Sequence, residues 1–123
     1  MIALLAQIAA ALVIGHATPV QCAAISGGHQ GWYNAPAQTI VLSPAVCDLL
    51  GQPPRSYGFP YGVFVLLHEA EHASGVEDES RASCRALADA PRMLRAAAIP
   101  PPVVRFDVAV IGALVRWQQG VVC

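Results

Sequence analysis

Apolar residues run almost unbroken from Met1 to Gly15 (MIALLAQIAAALVIG), with Gln7 the one polar side chain. Such a run suits either the apolar core of a signal peptide or a buried first helix. It is short for a membrane span unless it continues through His16 to Val20. Ser26–Gly31 (SGGHQG) is a loop by its glycines. Gln38–Ser43 (QTIVLS) is β-branched and apolar between two proline-marked boundaries, which predicts a strand. Ser43 can cap a short helix with Pro44 at its first position, ending near Leu50 before Gly51. Three prolines and a glycine make Gln52–Pro60 a loop. The pattern then predicts a helix over Tyr61–Ala73, with Gly75 as its left-handed C-terminal cap. A further helix runs from about Glu77 to Ala90, stopped by Pro91, and a short helical stretch covers Arg92–Ala98. Pro100-Pro101-Pro102 breaks the chain. The last helix covers Val104–Gln118, with Val104, Val108, Ile111 and Val115 as its core stripe. The elements add up to a small, mostly helical α+β domain, without internal repeats.

Composition narrows the class. The chain has 123 residues, enough for one domain. Apolar residues reach 55% and charged ones 12%, which excludes a disordered chain. The net charge is −1 and all seven basic residues are arginines, dispersed, so no nucleic-acid footprint exists. The acids are not dispersed: Glu69, Glu71, Glu77, Asp78 and Glu79 fall within eleven positions, around two of the four histidines.

Four cysteines (Cys22, Cys47, Cys84 and Cys123) lie far apart, with no CxxC pair. That spacing argues against a cysteine-based metal site and suits two disulfides in an oxidising compartment. Three pairings are possible, and Cys22–Cys47 with Cys84–Cys123 is favoured; four buried thiols are the alternative. Gly15-His16-Ala17 offers a small-x-small cleavage site behind the apolar run, although no basic leader precedes it. Export with cleavage after Ala17 is expected, leaving residues 18–123 as the mature domain. Contact with a membrane is expected only if the segment stays uncleaved.

His68-Glu69-Ala70-Glu71-His72 carries the chemistry. Residues four apart on a helix stack one turn above each other, so both imidazoles can reach one ion. Glu69 is rotated by about 100° from His68, beside the ion rather than on it. Such a carboxylate can take a proton from metal-bound water. At ~3% of positions for each residue type, chance yields this motif in roughly one chain in several hundred. The apolar run Val63–Leu67 before it buries the helix. A catalytic zinc site needs a third protein ligand. The turn at Gly75 returns the chain towards the histidines and offers Glu77, Asp78 and Glu79. His16 and His29 are distant and read as solvated.

The stretch HEAEHASGVEDESRASC resembles the zincin metallopeptidases. Glu79-Ser80-Arg81-Ala82 is similar to the ExxA pattern of the gluzincins, in which a following helix supplies a glutamate ligand and a small alanine permits close approach. His68, His72, Gly75 and Asp78 resemble instead a metzincin-type site with an aspartate in third place. The gluzincin match is favoured, with His68, His72 and Glu79 as metal ligands and Glu69 as catalytic base. Glu71 departs from these families, which have an uncharged residue there; it faces solvent or perturbs the site. The resemblance covers roughly Tyr61–Leu87. It implies a zincin-like domain whose edge strand, Thr39–Leu42, pairs with an extended peptide substrate.

The implied activity is zinc-dependent hydrolysis of peptide bonds by a secreted enzyme. Tyr33, Tyr57 and Tyr61 are candidate oxyanion donors. Two alternatives stand beside it: a secreted, non-catalytic zinc-binding module, and a membrane-tethered interaction protein.

Overall fold

From Phe59 to Glu71 every residue but Tyr61 is buried, so this stretch must lie at the centre of whatever fold forms around it. A computed structural model describes all residues, 1–123. In it the stretch belongs to helix α3 (Gly58–Ala73), the hub on which the other elements pack. The helix begins three residues earlier than the sequence predicts. Pro60 falls in its first turn, where a missing N–H costs nothing.

Helix α1 (Ile2–Ala9) continues through a wider turn, Ala10–Ile14, and packs against α3 with Leu5 and Ala9 fully buried. Strands β1 (Val20–Cys22), β2 (Gly31–Asn34) and β3 (Thr39–Leu42) form one sheet in the order β1-β3-β2. β1 runs parallel to β3, and β2 antiparallel with Tyr33 opposite Ile40. The expectation that Thr39–Leu42 is an edge strand is therefore corrected. It is the central strand, buried on both faces, as its unbroken apolar run befits. The edge nearest α3 is β2, which the glycines and single aromatics around it concealed.

Helix α2 (Pro44–Leu50) starts as expected, with Pro44 in its first turn and the Ser43 hydroxyl accepting from the Val46 amide at 3.2 Å. Helix α4 (Glu79–Ala96) is one element, not two: Pro91 lies inside it. Ala82, Ala86, Ala90, Met93 and Leu94 form a continuous buried stripe, and that packing outweighs the single backbone bond Pro91 removes. Helix α5 (Pro101–Ala113) uses the second and third prolines as its first residues and runs on through the wide turn Leu114–Gln118.

The favoured disulfides are present. Cys22–Cys47 ties β1 to α2, and Cys84–Cys123 ties the C-terminus to α4. No helix is long and apolar enough to cross a membrane. The disulfides place the folded chain in an oxidising, extracytoplasmic setting.

Candidate metal centre

His68 and His72 sit one turn apart near the C-terminal end of α3. The turn that ends the helix fixes how His72 is presented. Gly75 adopts φ +109°, a conformation a side chain disfavours. Gly75 N–H then donates to His72 O at 3.0 Å and Val76 N–H to Glu71 O at 3.1 Å. This turn aims the Val76 carbonyl back at His72 Nδ1, 2.7 Å away. A carbonyl oxygen only accepts, so Nδ1 carries a proton and Nε2 is the nitrogen turned to the site.

His68 is held at the same nitrogen. Its Nδ1 lies 3.1 Å from the hydroxyl of Ser83, a buried residue of α4. Burial pushes the His68 imidazole below its ordinary pKa, and this outweighs the carboxylate of Glu79 beside it.

The two Nε2 atoms are 3.1 Å apart. Glu79 spans them, with Oε2 at 2.9 Å from His68 Nε2 and Oε1 at 2.9 Å from His72 Nε2. His68 Nε2, His72 Nε2 and the two oxygens of Glu79 therefore crowd around one point, an arrangement that a cation can satisfy. Ligands at 2.0–2.1 Å around a tetrahedral ion lie roughly 3.3 Å apart, close to the spacings here. The His68–Glu69–His72 group can thus hold a metal ion.

Glu69 belongs to the same cluster, with a carboxylate oxygen within 4.8 Å of the histidine ligand atoms. Its carboxyl, nearly fully buried, is pushed up to about 7. Burial is the largest cause. The nearby His72 and the backbone N–H of Tyr33 pull the value down, and Glu79 raises it. Gly31 permits this arrangement: a Cβ there would lie 2.8 Å from Val65 Cγ1 and 2.9 Å from Glu69 Cγ. Only glycine lets β2 approach α3 so closely.

The remaining candidates separate cleanly. Asp78, the alternative third ligand, caps α4 instead, its Oδ2 accepting from the Arg81 amide at 2.8 Å. Glu71 faces neither solvent nor the metal cluster. It is fully buried on another side of α3, where its Oε2 accepts from Arg85 Nε at 2.9 Å. Burial, then Asp89, holds its carboxyl above the usual range against the pull of Arg85. Tyr57 packs edge-on against Phe106 with ring centres 5.3 Å apart, and Tyr61 packs against the core. Tyr33 and His29 line a cleft of about 1030 Å³ that opens beside Glu69 and His72. His16 bonds only to its own loop.

Compared with known families, characterised proteins and solved structures, the chain matches none. Its site rests on its own residues. Sequence reasoning missed Ser83, the Val76 carbonyl and Gly31. Ser83 had a signal, for it stands four residues after Glu79 and shares its helix face. The others act through backbone geometry, which side-chain motifs do not report.

Proposed function

We propose that this protein is a zinc-dependent metallopeptidase of the zincin type, with His68, His72 and Glu79 as ligands and Glu69 as the general base. One observation carries the reading. Two imidazoles, held at Nδ1 by Val76 O and Ser83 Oγ, turn their Nε2 atoms onto one carboxylate, Glu79. Two histidines and a glutamate form a known catalytic zinc set, with a position left for water. Zinc, when bound, lowers the pKa of its water and polarises a carbonyl oxygen.

The chain's own residues would do the rest. Glu69 takes a proton from the attacking water and returns it to the departing amine. Close-packed β2, through Gly31, lies against its side chain. The neighbouring cleft of about 1030 Å³ is large enough for several residues of an extended polypeptide, and this favours catalysis over a purely structural metal site. The disulfides and the apolar first segment favour a secreted protein.

The test pairs metal content with activity. The zinc-loaded chain is expected to bind one zinc and to cleave casein or a peptide library. Glu69→Gln should keep the zinc and lose activity by ~10²–10⁴-fold. His68→Ala should lose the metal by elemental analysis. Full activity in Glu69→Gln would refute the base. One bound zinc without hydrolysis of any substrate would favour the non-catalytic module.

A further inference from the structure

The cleft is not neutral in its chemistry. It runs from Glu69 and His72 around the free edge of β2 to the outer face of the sheet, where Trp32 and Val41 stand directly opposite each other. None of the seven arginines lines it, and the chain has no lysine. Its wall does carry Glu69, Glu77 and Glu79.

Two of these carboxylates are committed. Glu79 lies on both imidazoles, and Glu69 is buried against Gly31 beside them. Asp78, beside them in sequence, is spent on the Arg81 amide. The chain's ion pairs join Glu79 to the histidines, Arg85 to Glu71 and Arg92 to Asp89, so Glu77 is unpaired. The two charges of a divalent ion would be balanced by Glu69 and Glu79. Glu77 is then the uncompensated charge of the cleft.

Trp32 adds a second, independent feature. It is 49% exposed and lines the part of the same cleft at the outer face of the sheet. An indole face accepts the charged head of lysine or arginine and packs well against its aliphatic stem.

We propose that this cleft selects polypeptides with a lysine or arginine near the bond to be cut, Glu77 supplying the unbalanced negative charge and Trp32 an aromatic surface further along the same cleft. The proposal rests on the peptidase reading of the site. An acidic side chain at the same position is disfavoured by Glu77, and the preference weakens with salt. Each contact is partly solvated and modest alone; together they amount to about tenfold in selectivity.

The test uses the full-length, zinc-loaded protein and matched quenched peptides in which lysine, glutamine or glutamate is scanned through positions on both sides of the scissile bond. At one position the lysine peptide should exceed the glutamine peptide by about tenfold in kcat/KM. Glu77→Gln and Trp32→Ala should each reduce that ratio, and 0.5 M salt should reduce it in the parent. A ratio near one in the parent, or an unchanged ratio in Glu77→Gln, overturns the proposal. Binding of the same peptides to Glu69→Gln, measured by fluorescence anisotropy, separates it from the peptidase reading. Tighter binding of the lysine peptide without cleavage by the parent sinks the peptidase and keeps the selectivity; equal binding sinks the selectivity.

Discussion

The Val76 carbonyl sets which nitrogen of His72 carries a proton, and Ser83 and Val76 together fix the two rings so that both Nε2 atoms face Glu79. Partners of this kind typically contribute 10–100-fold to metal affinity. Ser83→Ala should therefore weaken zinc binding by roughly that factor, measured by competition with a chromophoric chelator. Metal-free unfolding should change far less, because alanine fits where the small buried serine stood. Unchanged affinity would mean that the Ser83 hydroxyl does not orient His68. At this scale the sequence was most informative. The i, i+4 spacing of His68 and His72 and the position of Glu79 were legible, because helical periodicity converts spacing into direction. The Val76 carbonyl was not legible, since any residue at that position would supply one once Gly75 sets the turn.

Helix α5 shows what an apolar stripe conveys and what it hides. Val104, Ile111 and Val115 are buried as the 3.6-residue period predicts, but Val108 is only partly so. The core face is rotated slightly and takes in Asp107, fully buried with both carboxylate oxygens unpartnered. Burial pushes its carboxyl up to about 7 from an ordinary 3.8. Below pH ~4 it is protonated in folded and unfolded chains alike. Between pH ~4 and ~7 the unfolded chain has released the proton while the folded one retains it. Stability therefore falls across that window, by up to ~1.4 kcal/mol per pH unit, and levels off above it. Asp107→Asn removes this titration. Urea unfolding at pH 4.5 and 8 should show the variant gaining on the parent as pH rises. A constant difference between the two would contradict it. Tertiary packing hides other features of α4 and the sheet in the same way. Pro91 reads as a stop in sequence, yet a stripe of buried alanines carries the helix through it. β1 and β2 are too short to show alternation, so only the strand buried on both faces was visible beforehand.

For the whole molecule, the open question of the sequence was whether the first segment is a leader or part of the fold, and the packing supplies a quantitative test. Leu5 and Ala9 are fully buried in the same core cluster as α3 and α4, and Arg92 donates to the Leu12 carbonyl at 3.0 Å. The disulfides close loops at sequence separations of 25 and 39, each worth roughly 3–4 kcal/mol by the chain-entropy model, and neither reaches the first segment. The segment is therefore held without a covalent crosslink, by packing and the Arg92 hydrogen bond. If that packing persists in solution, Leu5→Ala should cost about 2–5 kcal/mol in the oxidised full chain, since it leaves a cavity against α3. A chain beginning at Thr18 should lose more, and should expose the apolar surface that Leu5, Ala9 and Ala10 cover. Both losses would be read as lower urea midpoints with the disulfides intact, and the second also as increased binding of a hydrophobic dye. A shortened chain as stable as the full one would assign residues 1–17 to export alone, because a fold that needs Leu5 cannot discard it without losing stability.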